Sequence, residues 1–473
     1  MSAQGPSARV VARRVLARVE SGSYATLALS AEMQRSRLGE KDRRLATEIT
    51  YGVLRHRSRL DRALASYAHK GLGKLPPGVL LALRVAAYQL LFLERIPDHA
   101  AVDDAVTEVR RVGGPKLGGF ANGLLRKLGR EGEPPLSEGD DKQSVMERNS
   151  FPEWLADLLL ERVGEAGLAE AAAGMQEVAP LSLRVNRRRT TVEALAERLQ
   201  DGEGVGIELS SLYPWAITAT GLGSPEHSQS FADGLWTVQD QAAQLIGAMA
   251  EAQQGWRVLD ACAGVGGKTT HLAELPLALQ IDAVDLSKRK IGLLQDSIKR
   301  LGLEGIVPHV ADATRDDAKL ASDYDLAVLD APCSGLGVLR RHPEAKWGPD
   351  KRPQIVEIVA LQAKLLDAVA ARVRPGGILL YSVCTFTSAE GPQQVASFLA
   401  RHPEFAMAPP SAQSPDDPNW KVLLSEDGSF SSWPHINAQD AFYAARMRRR
   451  LGAAIPRSAT TPRCRDSKVG YDA

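Results

Sequence analysis

The chain has 473 residues, 44% hydrophobic and 24% charged, with a net charge of +1, the balance of an ordinary globular protein of roughly three ~150-residue domains. No apolar run approaches the ~20 residues a bilayer span needs, and Met1 to Pro6 lacks an export-signal pattern, so a cytoplasmic protein without a membrane partner is expected. The cysteines Cys262, Cys333, Cys384 and Cys464 are scattered with no C-x-x-C spacing, which argues against a disulfide framework and against a metal site.

The charge is unevenly placed. Residues 1–130 carry 23 Lys and Arg against 11 Asp and Glu, and the remainder carries 35 against 46. A basic N-terminal third on a near-neutral chain points to a polyanionic partner. This third reads as all helix, with Ser7 as an N-cap before Val10, Val11, Val15, Leu16 and Val19 at helical spacing. Further helices are predicted at about 25–36, 41–68, 76–93, 99–112 and 115–130, punctuated by Gly71-Leu-Gly73 and Gly113-Gly-Pro115. It contains no Trp, so base stacking there would fall to Tyr51, Tyr67, Tyr88 or Phe120.

Residues 8–130 resemble the NusB-type helical RNA-binding domain, through Arg44-Leu-Ala-Thr-Glu-Ile-Thr-Tyr-Gly-Val-Leu-Arg55 and Phe120-Ala-Asn-Gly-Leu-Leu-Arg-Lys127. The resemblance implies RNA contact through Arg43, Arg44, Arg55, Arg57, Arg59, Arg126 and Lys127.

Residues 131–144 are acidic and Pro-rich and read as a linker. Residues 145–235 mix helix with strand, as a small α+β domain: Trp154 to Val163 is amphipathic and Pro180 to Asn186 alternates. Arg184, Arg187, Arg188 and Arg189 cluster near that strand's end, as a solvated face or an RNA contact.

From 236 to 450 the alternation becomes regular. Strands are predicted at 256–261, 281–285, 306–311, 324–330 and 377–384, with helices at 268–275, 287–301, 313–320 and 354–373. Such alternation gives right-handed βαβ units and a parallel sheet clad by helices. Arg374-Pro-Gly-Gly377 is expected to stop the last helix, and 440–449 to add a late antiparallel strand. Residues 451–473 read as a disordered basic tail.

The chain is organised around the first of these strands, in Val258-Leu-Asp-Ala-Cys-Ala-Gly-Val-Gly-Gly-Lys268. Strand, glycine turn and helix form a nucleotide-type binding edge, yet the spacing fits neither a P-loop nor the dinucleotide fingerprint. The other strand ends bring Asp285, Asp312, Asp330-Ala-Pro-Cys333 and Tyr381-Ser-Val-Cys384-Thr to the same edge. A carboxylate after the second strand suits ribose hydroxyls, and Asp312 suits an adenine amine. Strands four and five, if paired, lie about 4.8 Å apart, which lets both thiols face one pocket.

In that order the motifs resemble the RNA cytosine-5 methyltransferases that use S-adenosyl-L-methionine: Leu259-Asp-Ala-Cys-Ala, Gly266-Gly-Lys-Thr269, Asp285, Asp312, Asp330-Ala-Pro-Cys-Ser-Gly-Leu-Gly337 and Tyr381-Ser-Val-Cys-Thr385. With the NusB-like region in front, the whole resembles the bacterial 16S rRNA methyltransferase family called RsmB, Sun or Fmu. The resemblance implies an α/β Rossmann-like class I methyltransferase with a mostly parallel seven-stranded sheet, preceded by an all-α NusB-like domain and a small α+β domain. It implies a monomer that acts on small-subunit rRNA and not on DNA; a tRNA methyltransferase and a non-catalytic assembly factor are the alternatives.

The expected cofactor residues are Cys262, Ala263, Gly264, Val265, Gly266, Gly267, Lys268, Asp285, Asp312 and Asp330, with Cys262 packing beneath the cofactor. The family implies Cys384 as nucleophile and Cys333 as the thiol that assists release, with Asp330 hydrogen-bonding the cytosine. In DNA cytosine-5 enzymes the nucleophile sits in the Pro-Cys motif, which is Cys333 here. Ala263-Gly-Val-Gly-Gly-Lys268 departs from the family's Ala-Ala-Pro-Gly-Gly-Lys and is expected to loosen the turn, and Ala441 replaces a usual Gly. Arg340-Arg-His-Pro-Glu-Ala-Lys346 is a candidate to hold RNA phosphates or to be a solvated loop.

Overall fold

The computed structural model describes residues 6–315, 320–411 and 422–452. The expected tail from 453 onward, with Cys464, lies outside the described residues.

Six helices form the N-terminal body: α1 (Ala8–Glu20), α2 (Ala25–Arg35), α3 (Glu40–Arg55), α4 (Arg57–Ser66), α5 (Pro77–Phe92) and α6 (Asp98–Glu131). Ser7 Oγ caps α1 by accepting from the Val10 N–H, and Val11, Val15 and Leu16 are buried. The single helix expected over 41–68 is two. His56 leaves helical geometry at φ −107°, ψ 17°, and its ring stacks on Phe92 with centroids 4.3 Å apart. In α6, Gly114 at φ 82° breaks the helix before Pro115, which disfavours a helical residue ahead of it. A Cβ on Gly52 would lie 1.9 Å from the Tyr88 ring, so glycine here lets α3 sit on α5. Tyr88 is therefore core, not a stacking platform for RNA.

The predicted linker does not hang free. Tyr67 donates to the Gly132 carbonyl, Arg59 pairs with Glu133, and Arg62 donates to the Pro134 carbonyl, so residues 132–134 are strapped to α4. Two helices follow, α7 (Lys142–Asn149) and α8 (Glu153–Gln176), the second broken at Gly164.

The middle of the chain holds β1 (Leu181–Val185), α9 (Val192–Glu197), β2 (Gly206–Leu209), β3 (Ala216–Thr220), α10 (Gln229–Ala232) and β4 (Trp236–Val238). Its strands form an antiparallel sheet in the order β2-β3-β1-β4, of which only β1 is legible as a strand in the sequence. Arg184 is buried against Glu274, so this arginine is neither solvated nor free for RNA.

The large sheet follows α11 (Gln241–Ala248). Its elements are β5 (Arg257–Asp260), α12 (Gly267–Glu274), β6 (Gln280–Asp285), α13 (Lys288–Leu301), β7 (Ile306–Val310), β8 (Tyr324–Asp330), α14 (Arg352–Ala371), β9 (Val373–Val383), α15 (Pro392–Arg401), β10 (Phe405–Met407), β11 (Phe430–Ser432), α16 (Pro434–Asn437) and β12 (Phe442–Arg449). The path runs β10-β12-β9-β8-β5-β6-β7, with β11 added on β12 as an eighth strand. Strands β5 to β9 are parallel and β12 pairs antiparallel with β9. The order reverses between β6 and β8 on either side of β5, which makes the carboxyl end of β5 the switch point where such sheets bind ligands.

Two local expectations fail. Residues 313–315 form a turn rather than a helix, because Asp312 caps Thr314; residues 316–319 lie outside the described ones. Arg374 to Gly377 does not stop the preceding helix; α14 ends at Ala371 and β9 runs through this stretch, with a register shift at Tyr324/Leu326 absorbing it.

The segment 340–347 is neither a phosphate clamp nor a solvated loop. Arg340 is buried on Asp440, Lys346 donates to the Arg55 carbonyl and to Gln176, and Trp347 Nε1 donates to the Leu54 carbonyl. Arg55 returns a bond to the Arg340 carbonyl at 2.8 Å. Arg55 and Arg59 are thus spent inside the protein and are not free for RNA; Arg57 sits over the Trp347 ring.

Burial, then the charges of Lys346, Arg59 and Arg55, pushes His56 down to about 3 from an ordinary 6.5. The unfolded chain therefore binds the extra proton between these values, and stability falls as pH drops from 6.5 towards 3. Thermal unfolding across that range should show a falling midpoint in the wild type and a shallower fall in His56→Phe. Parallel curves would show that His56 has no part in acid sensitivity.

Candidate active site

Residues after β5, β6, β7 and β8 close an open cleft with about 780 Å³ of empty space. Its wall includes Cys262, Gly264, Asp285, Asp312 and Asp330, five of the ten expected cofactor residues. Ala263, Val265, Gly266, Gly267 and Lys268 do not line it. Ala263 is buried, Val265 points to solvent, and the others form the start of α12.

The glycine turn is built for close approach. Gly264 lies at φ +58° and donates its N–H to Asp285 Oδ2 at 3.0 Å. The departure from the usual Ala-Pro pair is accommodated by a left-handed residue tied to the second strand. Gly266, at φ +93°, has Leu294 2.3 Å from where a Cβ would be, so only glycine fits there.

Asp285 Oδ1 accepts from the Ser287 N–H, and Lys290 Nζ stands 3.7 Å from Oδ2. Each carboxylate oxygen has a second lone pair, so hydroxyl donors can still be received. Asp312 accepts from both the N–H and the hydroxyl of Thr314. Leu286 and Leu361, 71% and 41% exposed, present apolar surface to the same cleft. Paired acids between apolar walls suit a nucleoside, and the absence of a P-loop suits one without a phosphate chain.

Asp330 and Ser382 face one another in the β8–β9 register, and the Ser382 hydroxyl donates to Asp330 Oδ1 at 2.8 Å. Lys268, almost fully buried, donates to Asp330 Oδ2 at 2.5 Å. Cys384 is the first residue past the end of β9, and Cys333 lies three residues past the end of β8, so both thiols are carried by the loops that leave this edge. The Cys384 sulfur lies 3.3 Å from that of Cys333, and both are free thiols.

The three described thiols differ in setting. Burial, reinforced by Asp260, Asp285 and Asp330, pushes Cys262 up to about 12, which keeps it an inert packing group. Its sulfhydryl contact with Cys384, then burial, raises Cys333 well above the ordinary thiol value. A proton kept on Cys333 makes it a poor nucleophile.

Sequence reasoning missed Glu390. It is fully buried, and no salt bridge to a cation is found for it. It accepts from the Ser334 N–H at 2.7 Å, the Ser334 hydroxyl at 2.6 Å and the Thr387 hydroxyl at 2.7 Å, with Thr385 at 3.3 Å. Ser334 follows Cys333 and Thr385 follows Cys384, so one carboxylate fastens both thiol-bearing loops. A Glu six residues after Cys384 gave no periodic or spacing signal of its own.

A doubly wound sheet whose switch-point cleft is lined by acids, without a phosphate loop, defines a protein that binds a nucleoside-type ligand. Residues 248–448 match the family described as 16S rRNA methyltransferase RsmB/F, residues 6–130 the NusB family, and residues 151–222 the RsmF/B-like ferredoxin-like domain. The chain is 33% identical over 90% of its length to the probable ribosomal RNA small subunit methyltransferase B of Synechocystis, covering 96% of that protein. It is 31% identical over 94% of its length to the corresponding Bacillus subtilis protein, covering 99% of it. The crystal structure of PH0851 superposes with a TM-score of 0.77 at 25% identity, over 93% of this chain and 98% of that one. NSun6 from Pyrococcus horikoshii shares the fold with a TM-score of 0.56 at 19% identity, over 63% of this chain and 98% of that one. The chain belongs to the ribosomal RNA small subunit methyltransferase B family. It is an S-adenosyl-L-methionine-dependent rRNA methyltransferase with an N-terminal NusB domain.

Removing the Glu390 carboxylate strands several buried donors, each costing about 1–3 kcal/mol. Glu390→Ala should therefore lower stability by several kcal/mol and abolish methyl transfer. Glu390→Gln, which keeps an acceptor for the Ser334 N–H, should fold and retain part of the activity. Denaturant unfolding and tritium transfer measure the two; full activity in Glu390→Ala would remove it as the fastening group.

Proposed function

We propose that the protein methylates carbon-5 of a cytosine in small-subunit rRNA through a covalent bond between Cys384 and the base. The observation that carries this reading is the 3.3 Å approach of two thiols on the loops that leave the paired strands β8 and β9, beside the acid-lined cleft.

Carbon-5 of cytosine is a weak nucleophile because its electrons belong to the aromatic ring. Addition of the Cys384 thiolate to carbon-6 breaks that conjugation and makes carbon-5 enamine-like. S-adenosyl-L-methionine, held by Asp285, Asp312 and the 262–264 turn, supplies an electrophilic methyl group. As carbon-5 takes the methyl group, the methyl's bond to the donor sulfur would break and the demethylated thioether would leave. A water molecule or the Cys333 thiolate then accepts the carbon-5 proton, the carbon–hydrogen electron pair forms the carbon-5–carbon-6 double bond, and the carbon–sulfur pair returns to Cys384, which leaves as thiolate.

In this reading Asp330 hydrogen-bonds the cytosine; its bonds to Lys268 and Ser382, which hold the carboxylate, support that role. The buried Lys268 ammonium beside it helps offset charge that develops on the ring. The target base must leave its stack, at a cost of about a few kcal/mol, less in a loop. Asp285 would lie against a donor-rich part of the cofactor, so its carboxylate contributes to binding and not to the bond-making step.

Cys384→Ala should abolish both methyl transfer to 16S rRNA and any covalent adduct while calorimetry still detects cofactor binding. Cys333→Ala should accumulate a protein–RNA adduct that survives a denaturing gel. An adduct that requires Cys333 instead would reverse the two roles. In a separate measurement, Asp285→Ala should weaken cofactor affinity by about tenfold or more, the loss of a charge-assisted hydrogen bond. Unchanged affinity would place the cofactor elsewhere.

A further inference from the structure

A second cleft, with about 870 Å³ of empty space, lies where the small antiparallel sheet meets the catalytic sheet. Its walls come from β2 and the turn after it, from the start of α11, and from the end of α16 through Gln439. It shares no lining residue with the cofactor cleft and contains neither cysteine. It is nevertheless tied to the cysteine loop. The Gly337 N–H donates to the Cys384 carbonyl and the Ala441 N–H to the Gly337 carbonyl, each at 3.0 Å. Arg341 bridges Asp440 and Asp240, which fixes the two walls to each other.

The lining has an unusual chemistry for a protein that handles a polyanion. Glu208 and Asp240 are its only charged residues, and no Lys or Arg lines it. Asp240 is already paired with Arg341, so the exposed Glu208 carries the cleft's unpaired charge and offers phosphate no cationic partner in the lining. Its remaining polar groups are hydroxyls and amides, among them Ser182, Ser210, Gln241 and Gln439, beside the half-exposed Leu209.

Two of these groups lack partners. Gln439 is 2% exposed, yet neither its Oε1 nor its Nε2 has a hydrogen bond; the Ser182 hydroxyl, 1% exposed, has none either. Buried polar groups are nearly always bonded, and each orphan costs about 1–3 kcal/mol. By contrast Gln241 is satisfied, accepting from Ser210 and donating to Thr218. A free amide offers one donor and one acceptor side by side, the pattern that pairs with the edge of a base bearing an amino group.

We propose that this cleft is a second base-reading site, which takes an amino-bearing nucleobase flanking the target cytosine, with Gln439 and Ser182 as its specificity residues. The inference rests on RNA being the substrate, as argued above, but not on the reaction. A lining without an unpaired cation gives the backbone phosphate no partner, while its hydroxyls and amides suit a neutral base edge, so one base inserts and the strand's backbone stays outside. The Gly337 and Ala441 bonds connect this wall to the Cys384 loop.

The test is equilibrium binding, which needs no methyl transfer. Fluorescence anisotropy would use labelled single-stranded oligouridylates containing one cytosine, with adenosine, and in a second set guanosine, walked through the positions on either side. For the wild type, one position should bind about tenfold more tightly than its all-uridine counterpart, the scale of a bidentate base contact. That advantage should disappear in both Gln439→Ala and Ser182→Ala, while affinity for the all-uridine strand is kept. The inference is overturned if no position is preferred, or if the preference survives both substitutions. A protein that shows the preference but methylates no rRNA would sink the reaction proposed above and leave this site standing.

Discussion

The pairing of β8 with β9 is the constraint from which the site follows. Parallel strands in register put Asp330 opposite Ser382, and both chains then leave the sheet at the same edge. What happens after the edge is not set by the ladder, because the thiols sit beyond the last paired residues. Glu390 supplies the missing restraint. A buried carboxylate without a paired cation is costly unless hydrogen bonds repay its desolvation, and here backbone and hydroxyl donors from both loops do so. The negative charge also helps to hold the proton on Cys333. One group thus fastens both thiol-bearing loops and adds, after the Cys384 contact and burial, to the upward shift of Cys333.

The same loop that leaves Cys333 runs on to the clasp on the helical domain. Between them lie about a dozen residues with no long helix or strand, held by Arg340, Arg341, Lys346 and Trp347. Lys346 is fully buried, and burial followed by the Arg55 charge drives it towards the neutral amine. Its Nζ donates to the Arg55 carbonyl and to Gln176 and lies 5.2 Å from the Phe151 ring and 5.5 Å from the Trp347 ring, so carbonyl oxygens and ring faces surround it at this interface. The helical body is therefore docked on the loop that follows Cys333 rather than on a remote face of the sheet. Strapping of residues 132–134 to α4 adds to this rigidity.

Much of the sheet was legible because parallel strands buried on both faces read as short apolar runs ending in Asp or Cys. The positions of Asp285, Asp312, Asp330, Cys333 and Cys384 at one edge followed from that pattern. The strands β2, β3 and β4 were not legible, since β2 is mostly exposed and β4 has three residues, too short for any period. Arg340 and Lys346 were misread for a different reason. Charge in a loop reads as solvent or ligand contact, and only tertiary structure reveals an Asp440 or a row of helix carbonyls waiting for it. Glu390 and Gln439 were silent because a single polar residue has no periodicity.

The basic N-terminal third shows how charge count and charge availability differ. Arg13 pairs with Asp104, Arg84 with Asp61 and Glu20, and Arg59 with Glu133, while Arg55 serves the domain interface. These pairings leave the net charge of the body untouched, so its long-range attraction for a polyanion persists. They do remove those side chains as direct phosphate ligands. Among the cations exposed on α6, Arg126, Lys127 and Arg130 at its C-terminal end engage surface partners such as Asn122 and Glu131, with Lys127 also over the Tyr67 ring, and surface pairs are weak enough to exchange for phosphate. Steering by the whole body and contact by one helix end are thus separate properties, and the acid-lined cleft beside the catalytic sheet has neither. A strand attracted by the first and held by the second would present only its bases to the third.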